Sequence, residues 1–128
     1  MKIVSIEETT FKIESYSQYD GIVITLDDGT SVKMGISNFQ QCCESWGYLT
    51  SNDNYDEFIG AEYYGMNIVD TALNENTVVE LYEGDAMFVN IDTSEGKLQF
   101  VAYNDHNGYY GHHAVVVVNN TVVESARL

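Results

Sequence analysis

Basic residues are scarce in this chain: five lysines and arginines stand against twenty aspartates and glutamates, a net charge of −15 over 128 residues. A nucleic-acid backbone is held by Lys and Arg that neutralise phosphates, so direct binding of DNA or RNA is excluded. The same charge keeps the chain off anionic membrane surfaces. No run of about 18 apolar residues occurs, so no membrane span is expected. The opening Met1-Lys2-Ile3-Val4-Ser5-Ile6-Glu7-Glu8 turns acidic too early for a secretory leader. Only two cysteines are present, Cys42 and Cys43, and they are adjacent. Neighbouring cysteines seldom bridge each other and a small secreted scaffold carries more of them, so a reducing cytoplasm is the expected compartment. Enzyme signatures are missing as well: no phosphate-binding glycine loop, no G-x-S-x-G and no H-E-x-x-H. The expectation is a protein that is not an enzyme.

What is present describes one domain, residues 1–128, with 45% apolar residues and so enough to bury a core without disulfides. No repeat, linker or low-complexity tract divides it. Proline is absent, and ten tyrosines together with valine, isoleucine and threonine favour strands. Strands are expected at Lys2–Ile6, Phe11–Tyr16, Gly21–Leu26 and Ser31–Ile36. Asp27-Asp28-Gly29-Thr30 closes the last two into a hairpin, because Asp-Gly tolerates positive φ. From Ser37 to Asn54 the alternation breaks. Asp53–Gly60 reads as a short helix with Asp53 or Asn54 as its cap, acids in its first turn and glycine as its stop. Further strands are expected at Glu62–Leu73, Thr77–Tyr82, Ala86–Ile91, Lys97–Tyr103, Tyr109–Val118 and Thr121–Glu124. The fold class predicted is mainly β, a curved antiparallel sheet with one or two short helices packed on it.

Chemistry concentrates in Asn104–His113, which holds all three histidines, His106, His112 and His113. Imidazole and thiolate together are what zinc prefers, so a closed metal site is the sharpest hypothesis. If Leu98–Tyr103 and Tyr109–Val116 pair as a hairpin, His106 lies at its tip and His112 in the outgoing strand. Alternation then separates His112 from His113, and His112, beside Tyr110 and Ala114, is the preferred ligand. Consecutive cysteines bind one ion only with a bent backbone, so Cys43 is a safer donor than Cys42 and Cys43 together. The proposed set is Cys43, His106, His112 and one more donor: Cys42, Glu44, Glu62, Asp105 or water. A structural zinc there would cross-link a loop to a distant hairpin. The alternatives are that a cysteine is a small buried apolar group, or that Cys43 is a nucleophile or the ion a hydrolytic one. Against catalysis, Glu44 beside the thiol opposes thiolate formation. Asp27-Asp28 and Asp53/Asp56/Glu57 lack calcium-loop spacing and read as solvated. Tyr16, Tyr19, Tyr48, Tyr55, Tyr63 and Tyr64 read as surface aromatics, suited beside carboxylates to gripping an Arg-rich protein.

Three blocks, Asn38-Phe39-Gln40-Gln41-Cys42-Cys43-Glu44-Ser45-Trp46, Phe58-Ile59-Gly60-Ala61-Glu62 and Asn107-Gly108-Tyr109-Tyr110-Gly111-His112, carry a resemblance. Over roughly residues 22–118 the chain resembles a small family of phages and prophages of Gram-positive bacteria, mostly of unknown function. Members of that family can have Ser at the position of His106 and Glu at that of His112, which leaves Cys43 and Glu44 as the shared core. The chain is also similar to an anti-CRISPR protein of streptococcal prophages that has a zinc site and is directed at the single-protein type II nuclease. The resemblance implies a stoichiometric inhibitor in the host bacterial cytoplasm. Its partner would be a type II CRISPR effector nuclease, whose positively charged heteroduplex channel suits an acidic protein. A phage virion or assembly protein is the other non-enzymatic reading.

Overall fold

A computed structural model describes residues 1–14, 17–39, 45–81, 84–105 and 111–128. Nine strands run through them: β1 Ile3–Glu14, β2 Ser17–Leu26, β3 Ser31–Ser37, β4 Ser45–Thr50, β5 Tyr63–Val69, β6 Gly84–Thr93, β7 Gly96–Asp105, β8 His113–Val118 and β9 Thr121–Arg127. Every strand pairing is antiparallel. The mainly-β class is as expected, but the strands divide between two sheets instead of one curved sheet. The first has the order β1-β2-β3-β8-β9 and the second β4-β7-β6-β5.

The division follows from the burial pattern. Ile22, Ile24, Val32, Met34, Ile36, Ala114 and Val116 of the first sheet meet Met87, Val89, Ile91, Leu98, Phe100 and Ala102 of the second in one core. Each such side chain contributes about 1.5–3 kcal/mol when fully buried. A single sheet would leave one of these two apolar faces in water. The first sheet also buries Phe11, Tyr19, Val115 and Val117 on its other face. The valine run of β8 therefore shows no alternation, because both sides of that strand are covered. Gly21 and Gly35 lie opposite each other on β2 and β3. A Cβ on Gly21 would run into the Met34 carbonyl, and one on Gly35 would press against the Phe11 ring.

The hairpin at Asp27–Thr30 forms as expected, with Gly29 at φ 89° and the Asp28 carboxylate accepting the Thr30 N–H at 3.0 Å. The expected helix is a 3-10 turn, Tyr55–Phe58, capped by Asn54, with Gly60 at φ 86° just after it. Lys2–Ile6 and Phe11–Tyr16 join into the single long β1, Tyr16 lying outside the described residues. β4 falls inside the stretch where alternation breaks. It is an edge strand, only partly buried along its length, and edge strands carry a weak period-two signal. Thr77–Leu81 is not a strand. Glu75–Thr77 forms a 3-10 turn closed by a reciprocal cap with Asn74, and 78–81 continue without regular structure. No helix among the described residues is long and apolar enough to cross a membrane.

Candidate functional site

His112 immediately precedes β8, 1% exposed, at one end of the two-sheet core. Its ring stacks on Trp46 with centroids 5.0 Å apart and 27° between planes. Its backbone exchanges two hydrogen bonds with Leu128, N–H to carbonyl at 3.0 Å and carbonyl from N–H at 2.8 Å. Asn104 of β7 donates its Nδ2 to the same Leu128 carbonyl at 3.2 Å. His113, one position on, points to the other side and is exposed. The separation of the two histidines follows the strand alternation, and the inward one is His112.

The imidazole Nδ1 lies 2.8 Å from the Ser37 carbonyl oxygen and 3.3 Å from the Ser37 hydroxyl. A carbonyl can only accept, so Nδ1 carries the proton, and whenever the ring is neutral the lone pair is on Nε2. An Nδ1–H held by a backbone carbonyl is the usual arrangement behind a metal-bound histidine, since it fixes the tautomer and the ring plane. The same contact is compatible with a satisfied core histidine. His112 is buried, with its ring held by Ser37 and Trp46 and its backbone by Leu128.

Of the other proposed zinc ligands, Cys42, Cys43 and His106 lie outside the described residues, as does Glu44. Among the described residues no three His, Cys, Asp or Glu side chains cluster as metal donors. The described residues that flank 40–44 and 106–110 are nevertheless neighbours. Ser37 and Trp46, from either side of 40–44, both touch His112, and Ser45 pairs with Asp105 across β4 and β7. The expected hairpin between Leu98–Tyr103 and Tyr109–Val116 does not form. β7 pairs with β4 and β6, and β8 with β3 and β9, so β7 and β8 belong to different sheets. Asp105 is at this end of the molecule. Glu62 is not: its N–H is held by Ser94 and its carboxylate by the Met1 ammonium, next to the start of β7. Asn104 is at the far end of that strand, on the order of 25 Å away. Glu62 is removed from the donor set.

Sequence reading missed Ser37 and Trp46 as the residues that hold the His112 ring, and Asn104 as the one that holds the Leu128 carbonyl paired with its backbone. The lone tryptophan next to Cys-Cys-Glu was the one available signal, since nothing in the spacing of Ser37 or Asn104 marks them. Of the tyrosines assigned to the surface, Tyr19 is 8% exposed and packs against Phe11, whereas Tyr64 is 68% exposed. Tyr48, Tyr55 and Tyr63 are half-buried against the core. Burial pushes all three phenols above their ordinary range, Tyr55 to about 12. Tyr55 also donates its hydroxyl to the Glu8 carboxylate at 2.8 Å.

No curated protein and no solved structure shows significant similarity to this chain. A family model described as a domain of unknown function, DUF7448, matches residues 1–116. The match covers β1 to β7 and β8 as far as Val116, and the chain belongs to the DUF7448 family.

Proposed function

We propose that this protein is an acidic, non-enzymatic inhibitor of phage or prophage origin. It binds a bacterial type II CRISPR nuclease in the host cytoplasm and keeps target DNA out of its basic channel. The observation that carries the reading is electrostatic. Net charge is −15, and no described aspartate or glutamate is buried. Among the described residues two ion pairs, Met1–Glu62 and Lys97–Asp92, neutralise only a small part of that charge. Such a surface steers itself toward Arg- and Lys-rich grooves and weakens there as salt rises. Exposed Tyr64 and Phe39 supply aromatic anchors of the kind that dominate interface energies. The nuclease itself is named by the family resemblance of the three sequence blocks.

The test is direct. Nuclease loaded with guide RNA is mixed with this protein before labelled target DNA is added. Block of DNA binding at a one-to-one ratio, relieved by added salt, is expected. Full DNA loading at inhibitor excess rejects the reading.

We further propose that a structural zinc is held by Cys43, His106 and His112, with Cys42, Glu44, Asp105 or water completing the set. The tautomer of His112 supports its part, because Nε2 carries the lone pair a metal requires. Zinc would tie together the two segments that link the sheets, and catalysis is not needed for that role. Elemental analysis of protein purified without a metal-affinity tag is expected to give about one zinc per chain. His112→Ala and Cys43→Ser should each lose it. Metal-free wild-type protein that unfolds at the same temperature would overturn the site.

A further inference from the structure

Each sheet ends on two edge strands, and the four edges are not alike. Natural sheets guard such edges with charge, because a row of unpaired backbone groups invites another strand. β1 carries Glu7, Glu8 and Lys12, and β9 carries Glu124 and Arg127 beside a register shift. β4 has no charged residue, but beyond Ser45 none of its residues is exposed. β5 differs from all three. Tyr63-Tyr64-Gly65-Met66-Asn67-Ile68-Val69 holds no charge, and Tyr64 and Ile68 are 68% and 41% exposed. Among the described residues its strand partner is β6 alone. Past Tyr63, whose N–H goes to the Met1 carbonyl, no described backbone group meets its outer edge.

Electrostatics set β5 apart as well. Both ion pairs among the described residues border it: Met1–Glu62 stands just before Tyr63, and Lys97 pairs with Asp92, the cross-strand partner of Gly65. Lys2 forms a backbone bridge with Glu62 at the same end. The Met1 ammonium, Lys2 and Lys97 are thus gathered beside one strand, against the carboxylates of Glu62 and Asp92. Asp27 and Asp28 lie in the field of the same ammonium, so this border is close to balanced. A body of net charge −15 repels its own copy over most of its surface. It repels least where cations collect and the strand itself is uncharged.

We propose that β5 pairs antiparallel with β5 of a second copy of this chain, joining the two four-stranded sheets edge to edge. A two-fold axis through Asn67 makes the pairing self-complementary: Asn67 faces Asn67 of the other copy, Met66 faces Ile68, and Gly65 faces Val69. Within one copy Met66 and Ile68 lie opposite Ile91 and Val89, on the core side, and Asn67 lies opposite Asn90 on the outer side. Directly opposed residues share a face, so apolar meets apolar on one side and carboxamide meets carboxamide on the other. An axis through Ile68 would set Asp70 against Met66. One through Met66 would run the pairing into the irregularity between Tyr63 and Gly65. A basic strand from a foreign protein would find no carboxylate on β5 to select it. The inference does not depend on the nuclease or zinc readings.

Sedimentation velocity of the whole protein over a concentration series tests it. One strand pair buries less than the roughly 1,200 Å² of a permanent interface, so a reversible dimer is expected and the series extends to about 1 mM. Added sodium chloride screens two like-charged bodies and should tighten the dimer, the opposite of its effect on a complex with a basic partner. An isotope-filtered NOE experiment on mixed ¹³C-labelled and unlabelled protein should show the Met66 methyl against Ile68 of the other copy. Asn67→Asp sets two carboxylates face to face and Ile68→Lys puts a charge on the edge. Each should raise the dimer dissociation constant by about tenfold or more, with the ¹H–¹⁵N spectrum still that of a folded chain. A monomer at every concentration leaves the edge to some other chain and overturns the proposal. So does a dimer that dissociates as salt rises, one without the Met66–Ile68 contact, or one that both variants leave unchanged.

Discussion

Tyr55 shows how one side chain couples burial to pH in this protein. Its ring packs against the core and its hydroxyl donates to Glu8 at 2.8 Å, so ionisation would strand a phenolate half in hydrocarbon beside a carboxylate. Its folded pKa is about 12 against an ordinary value of 10.0. Between those values the unfolded chain releases a proton that the folded chain keeps, so folding stability falls as pH rises through that window. Urea midpoints compared at about pH 9 and about pH 11 should drop, and Tyr55→Phe should drop less. Tyr48 and Tyr63, raised in the same direction by burial, leave part of the slope in that variant. An identical slope in the variant would place the titration elsewhere.

At the scale of elements, the segment after β5 is the piece whose shape sequence reading got wrong. Alternation at Thr77–Tyr82 suggested a strand, but side chains hold the Thr71 carbonyl and the Leu73, Asn74 and Asn76 N–H groups just before it, and Thr77 closes a 3-10 turn. Gln99, fully buried on β7, donates Nε2 to the Thr71 carbonyl at 2.9 Å and to Asn90 Oδ1 at 2.8 Å, and accepts the Leu73 N–H at 2.8 Å. Asn74 and Asn76 both donate to the Ser51 carbonyl. Removing a partner from buried polar groups costs about 1–3 kcal/mol for each group left unsatisfied. Gln99→Leu should therefore destabilise by about 2–4 kcal/mol in urea titration. Hydrogen exchange should show the Leu73 amide opening well before the β6–β7 core. Uniform loss of protection over the whole second sheet would mean that the network supports the sheet, not the covering segment.

For the molecule as a whole, charge is the dominant property. A net −15 on a two-sheet domain is self-repulsive, and self-repulsion is relieved by salt. Raising sodium chloride from about 0.01 M to about 0.5 M shortens the Debye length from roughly 30 Å to under about 10 Å. The thermal midpoint should rise by roughly 3–6 °C, the shift that about 1 kcal/mol produces in a domain of this size. A flat midpoint would mean that the acids are spaced widely enough not to sense one another. The same increase in salt should weaken the proposed nuclease complex, so stability and inhibition are expected to move in opposite directions.

Local chemistry was legible in the chain alone. Asp-Gly at 28–29, the capped turn ending at Gly60, the strand character of most segments and the inward choice of His112 over His113 all depend on neighbours within a few residues. So does the acidity, which is a sum and needs no fold. The partition into two sheets, the edge strand β4, the absence of a β7–β8 hairpin and the exclusion of Glu62 from the histidine end were decided by contacts far apart in sequence. Two apolar faces close only against each other, and that closure determined which residues met His112: Ser37 from β3, Trp46 from β4 and Leu128 after β9. No periodicity encodes those meetings, because each depends on where a whole sheet lands.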